Sequence, residues 1–93
     1  MGEILITFIK QSSAYSLKKA ANQSGINAKI IQTPNELSRG GCSYGVIMSR
    51  QDMSRAIKLC RENRVEYRKI FAIFTDRQGQ KEYSEIKKTQ GIS

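Results

Sequence analysis

Two short runs of this chain are apolar on both faces, and they leave few ways to fold it. They are Glu3-Ile4-Leu5-Ile6-Thr7-Phe8-Ile9 and Ile70-Phe71-Ala72-Ile73-Phe74. Their β-branched and aromatic residues favour strands. A strand that is apolar on both sides belongs in the middle of a sheet. The first run reads as a strand over Glu3 to Ile9, and the second lies within a strand over Tyr67 to Thr75.

Helical patterns lie between them. Ser12 or Ser13 is expected to cap a helix, with Ala14, Leu17, Ala20 and Ala21 as its apolar stripe. Gly25 ends it as a left-handed C-cap, with Ile26 as the following hydrophobic contact. Ala28 to Gln32 reads as a second strand. Pro34 cannot donate to a ladder but suits the first turn of a short helix over Asn35 to Ser38, with Thr33 as its cap. Arg39 to Ser43 reads as loop and Tyr44 to Met48 as a third strand. Ser49-Arg50-Gln51-Asp52 resembles a capping box. It opens a second helix whose buried stripe is Met53, Ala56, Ile57 and Cys60. Asn63, a residue that tolerates the left-handed conformation, is expected to end it, with Val65 as the contact beyond.

The order is strand, helix, strand, strand, helix, strand. Ala14, Ala20, Ala21 and Ile26 align at one constant offset with Met53, Leu59, Cys60 and Val65, a weak internal repeat. Two βαβ halves in one antiparallel sheet predict a ferredoxin-like α+β sandwich, βαββαβ, with two helices on one face. The opposite face would be exposed in a lone molecule, although the first and fourth strands are apolar there. That predicts pairing with a second copy, a homodimer through the sheet, or with another partner. Residues 1–75 form this domain and 76–93 a C-terminal extension. In the extension, Asp76 to Gln80 signals a turn, Lys81 to Ile86 a returning hairpin strand, and Lys87 to Ser93 a frayed tail.

Composition narrows the class. With 93 residues, one domain is the default. No apolar run approaches the ~20 residues of a membrane span, and the start lacks the pattern of a signal peptide. The expected location is the cytoplasm, with no membrane association. The net charge is +8, half of it from Arg50 to Lys69, which carries seven positive and three negative residues. Such a stretch is either a solvated helix face or a patch for an acidic partner. Histidine is absent and there are two cysteines, Cys42 and Cys60. Two ligands cannot fill a tetrahedral zinc site, so no metal is expected. Cys-His and Ser-His pairs are excluded as well.

Cys42 ends a polar, glycine-flanked loop, Arg39-Gly40-Gly41-Cys42-Ser43. Gly40 and Gly41 let backbone approach the thiol closely. In the expected topology, the start of the third strand lies beside the end of the first. The N-terminus of the first helix, Lys10 to Ser13, lies there too, with its partial positive charge. The second helix ends at the same edge, bringing Arg61 and Arg64, and Arg68 follows. Cys42 would then sit among Arg39, Lys10, Arg64, the Gly40 and Gly41 amides and the Ser12–Ser13 helix start. Each favours the thiolate, the reactive form of cysteine. The competing reading is a tight loop with an incidental small residue. Cys60 lies on the core stripe of its helix, where a free cysteine packs.

Nucleic-acid binding is a weaker alternative. An RNA-recognition module of this topology needs several aromatics on its third strand, and Tyr44 to Met48 has one.

The run Thr33-Pro34-Asn35-Glu36-Leu37-Ser38, followed by the loop with Cys42, resembles the small bacterial selenium/sulfur (Se/S) carrier protein-like family. The resemblance covers about residues 3 to 75. Thr33, Pro34, Glu36 and Ser38 match the family motif, and Cys42 matches its cysteine. Asn35 stands where the family often has Arg, and Ser43 where it often has Gly. The resemblance implies a carrier rather than a turnover enzyme. Cys42 would accept a persulfide or selenopersulfide from a donor such as a cysteine desulfurase and pass it to an acceptor enzyme. No other cofactor is implied. The alternative from a different class is a non-catalytic regulatory or adaptor domain that oligomerises through its sheet.

Overall fold

The computed structural model describes residues 2–38 and 41–86. Strand β1 (Glu3–Phe8) leads into helix α1 (Gln11–Gln23), then β2 (Lys29–Gln32) and a 3-10 turn over Asn35–Leu37. Strand β3 (Tyr44–Ser49) follows, then a 3-10 turn at Arg50–Asp52 and helix α2 (Met53–Glu62). Strands β4 (Ile70–Thr75) and β5 (Lys81–Glu85) complete the order. The sheet runs β2-β3-β1-β4-β5, and every neighbouring pair is antiparallel. The first four strands and two helices have the ferredoxin-like arrangement, and β5 extends the sheet beside β4.

β1 is central and buried from Ile4 to Phe8. Side chains alternate across a strand, so Ile4, Ile6 and Phe8 face the helices. There they pack with Ala14, Leu17, Ala21, Val46, Met48, Ala56, Cys60 and Ile70. Leu5 faces the other way, against Phe71 and Ile73. This second face is not bare, which modifies the expectation of a fully exposed apolar surface. Leu37 from the 3-10 turn packs onto it, as do Ile31, Ile47 and Tyr83. The returning hairpin strand is present. Asp76 Oδ1 accepts the N–H groups of Gln78 (2.9 Å) and Gln80 (2.8 Å), and Gly79 takes a φ of 83°. Residues 87–93, read as a frayed tail, lie outside the described residues.

The boundaries differ from the sequence reading in several places, each with a local cause. β1 stops at Phe8, and Ile9 is exposed. α1 begins at Gln11, so Ser12 and Ser13 lie inside its first turn. Lys10 holds the N-cap position, and no side chain bonds there. Thr33 likewise caps nothing; Pro34 precedes the 3-10 turn without a side-chain cap. The Ser49 capping box does not form, because the 3-10 turn separates Ser49 from α2. Asn63 keeps φ at −99° and donates from Nδ2 to the Leu59 carbonyl, at 2.8 Å. Arg64 instead takes the left-handed position, φ 55°. The Val65 N–H then reaches back to the Cys60 carbonyl at 2.8 Å, as the C-cap motif requires. At α1 the same motif forms as expected, with Gly25 at φ 84° and Ile26 N–H on the Ala21 carbonyl.

β2 starts one residue late because the Ala28 N–H is taken by Asn22 Oδ1, at 3.1 Å. β4 starts at Ile70, not Tyr67, because two residues face one across the ladder. The Arg68 N–H reaches the Thr7 carbonyl (2.8 Å), and the Thr7 N–H reaches the Lys69 carbonyl (2.9 Å). The Lys69 N–H goes to Thr7 Oγ1, at 3.1 Å. This is the pattern of a β-bulge, and it satisfies the fully buried Thr7 hydroxyl.

Gly45, opposite Thr7, has no room for a side chain. A Cβ there would lie 2.5 Å from Leu5 Cδ1, and Leu5 is fully buried. Gly45→Ala should therefore cost about 1–3 kcal/mol through overpacking. Thermal unfolding followed by circular dichroism checks this, with a lower midpoint expected and an unchanged one contradicting it.

Candidate functional site

Cys42 stands at the end of the sheet where strand register brings three segments together. Phe8 pairs with Tyr44, and Gln32 pairs with Tyr44 on the other side. The end of β1, the end of β2 and the start of β3 therefore meet two residues from Cys42. The ladder continues past β2, with the Thr33 N–H on the Ser43 carbonyl at 3.1 Å. Gly41 takes φ 90°, a conformation that a side chain would strain. The Ser43 N–H returns to the Gly41 carbonyl at 2.9 Å. That bond closes a three-residue turn with Cys42 at its centre. The Gly41 N–H donates to the Ser38 carbonyl at 3.2 Å, tying the turn to the Thr-Pro segment.

The thiol at the centre of this turn is buried. Cys42 is 5% exposed and forms no disulfide. It belongs to neither apolar cluster. The loop composition gave no sign of this burial.

Beside the turn is an open polar cavity of about 390 Å³. Gln32, Thr33, Pro34, Asn35, Ser38 and Ser43 line it. Three motif residues, Thr33, Pro34 and Ser38, thus share one wall, while Glu36 is exposed and does not line it. The turn is braced by Leu37 N–H on the Pro34 carbonyl (2.8 Å) and by the Ser38 N–H and hydroxyl on the Asn35 carbonyl (3.2 and 3.1 Å). Gln32, Asn35 and Ser43 were not singled out in the sequence as site residues. Asn35 and Ser43 enter the sequence reading only as departures from the family motif, and Gln32 only as the neighbour of Thr-Pro. Thr33 is 5% exposed, and its Oγ1 has no hydrogen-bond partner among the described residues.

The basic residues expected around Cys42 do not line the polar cavity beside it. Lys10 and Ser13 line a smaller depression of about 110 Å³ with Ile9, Glu66 and Arg68. Ser12 lies in the first turn of α1 and lines neither cavity. Arg64 is exposed at the left-handed position after α2 and also lines neither. Arg39 and Gly40 lie outside the described residues. Cys60 is 2% exposed among the helix-side core residues. Burial pushes its thiol up from 9.0 to about 11, which leaves it protonated and inert at neutral pH. Among the described residues, no helix is long and apolar enough to cross a membrane.

The fold and site together define a small α+β domain of ferredoxin-like arrangement with a loop cysteine at one sheet end. The particular family is narrower. A family model described as "Putative Se/S carrier protein-like" matches residues 3–72, from the start of β1 into β4. The chain belongs to this family. No curated protein and no solved structure matches it.

Two measurements check the local chemistry. Thr33→Val removes a buried hydroxyl that has no partner among the described residues, so stability should hold or rise by about 1 kcal/mol. A clear loss in urea unfolding would show that the hydroxyl is satisfied. The Cys60 thiol is harder to ionise folded than unfolded, so its contribution is present below pH ~9 and lost as pH rises toward about 11. Cys60→Ala should flatten the fall in stability across that window, and an equally steep fall would contradict the burial effect.

Proposed function

We propose that this protein is a sulfur or selenium carrier that loads at Cys42. The observation that carries the reading is the family match spanning residues 3–72, within which Cys42 stands centred in a glycine turn beside a polar cavity. In the transfer step, the Cys42 thiol gives its proton to solvent. The thiolate then attacks the terminal sulfur of a donor persulfide. A bond forms between Cys42 Sγ and that sulfur as the donor's S–S bond breaks. The donor leaves as a thiolate with the electron pair, so no oxidant is consumed. Delivery to an acceptor enzyme repeats the exchange with Cys42 as the leaving thiolate. The buried thiol must first be uncovered, and opening of the Gly41–Ser43 turn does this without disturbing the sheet. A cysteine desulfurase is the proposed class of donor.

Burial of Cys42 also favours a second reading. A thiol held at 5% exposure suits a structural role in a regulatory or adaptor domain. Loading separates the two. The protein is incubated with a cysteine desulfurase and cysteine, or with selenocysteine, and its intact mass is measured. The carrier reading predicts a gain of one sulfur or selenium atom, removed by dithiothreitol. The gain should be lost in Cys42→Ser and kept in Cys60→Ser. No gain, or a gain at Cys60, would leave the adaptor reading.

A further inference from the structure

Among the described residues, the strand beyond the family match has a free edge. β5 closes the sheet order and pairs only with β4. In an antiparallel ladder, alternate residues turn both N–H and C=O toward the same neighbour. The Ile86 N–H bonds the Ile70 carbonyl at 2.7 Å, and the Gln80 carbonyl accepts from the Asp76 N–H at 2.8 Å. The even-numbered residues of β5 therefore bond β4. Lys81, Tyr83 and Glu85 turn their backbone groups outward, unpaired by the sheet. Their side chains share the face opposite the helices, where Glu85 pairs with Phe71 and Tyr83 with Ile73.

We propose that β5 is a self-pairing edge, at which two copies join antiparallel about Tyr83 into one continuous sheet. A twofold axis at Tyr83 places Lys81 of each copy opposite Glu85 of the other. Residues that face each other this way share one side of the sheet, so both opposite-charge pairs form on the same face. The outward backbone groups of Lys81, Tyr83 and Glu85 supply the hydrogen bonds between copies. Tyr83 meets Tyr83 of the second copy and links the two apolar clusters centred on Leu5, Phe71 and Ile73.

Other registers fit worse. A one-residue slip would turn every side chain to the wrong face. Centring on Glu82 sets Glu82 against itself. Centring on Ser84 loses both Lys81–Glu85 pairs. Charged edge strands often exist to prevent pairing, but here the signs are satisfied by antiparallel self-pairing. Lys81 is exposed and, among the described residues, holds no ion pair. Among the described residues, Glu85 has only Lys69, at 4.0 Å.

Analytical ultracentrifugation of the full chain across a concentration series tests this. The wild type should show a concentration-dependent dimer. Lys81→Glu alone and Glu85→Lys alone should each weaken it by about tenfold, since each sets like charges opposite at two places. Mixing these two variants should restore a dimer. One copy then carries glutamate at both positions and the other carries lysine at both, so opposite charges face each other in both pairs. The double variant Lys81→Glu/Glu85→Lys should self-associate like the wild type. Circular dichroism confirms that each variant keeps the fold. A wild type that stays monomeric would overturn the proposal, as would a dimer indifferent to the single changes or a mixture that fails to associate.

Discussion

Everything in this fold depends on β1 being buried on both faces. Its helix-side residues Ile4, Ile6 and Phe8 anchor the core that α1 and α2 cover. Its other face, through Leu5, anchors the smaller cluster that Leu37 and the outer strands cover. Five consecutive residues at zero exposure fix the register of both neighbours, because a one-residue slip would exchange the two faces. Gly45 is the clearest consequence. It is a glycine because Leu5 occupies the space that its side chain would need.

That register also sets the site. Because Phe8 pairs with Tyr44 and Gln32 with Tyr44, the Thr-Pro segment and the cysteine turn must lie together at one sheet end. The backbone bonds from Thr33 to Ser43 and from Gly41 to Ser38 then tie the turn to the Thr-Pro segment. The thiol is joined to no disulfide and belongs to neither apolar cluster. Cys60 differs in its surroundings. It lies in the helix-side cluster, and burial raises its pKa to about 11.

The architecture was legible in the sequence because it rests on strong patterns. Doubly apolar strands, helical stripes and Gly25 each have one cheap structural solution. The errors lie where several solutions cost nearly the same. Ser12, Ser13, Thr33 and Ser49 are good caps, yet none forms a cap bond, since chain entry from the preceding strand decided where each helix starts. Arg64 took the left-handed position expected of Asn63, because Val65 had to reach the Cys60 carbonyl. The burial of Cys42 was not legible, because it follows from a turn closed by backbone groups. The polar cavity was half legible. Its Thr-Pro-Ser wall is a local motif, whereas Ser43 and Gln32 join it only through strand pairing.

The central claim is that Cys42 is uncovered by local opening while the sheet stays intact. Its alkylation rate in a Cys60→Ala background, measured against increasing urea below the unfolding transition, tests this directly. Local opening exposes little new surface, so its free energy depends weakly on denaturant, unlike global unfolding. A rate nearly independent of urea, slower than in the unfolded chain but far faster than global unfolding allows, is the result predicted. A rate that climbs with urea in step with global unfolding would contradict it, and would make Cys42 a structural residue of the sheet end.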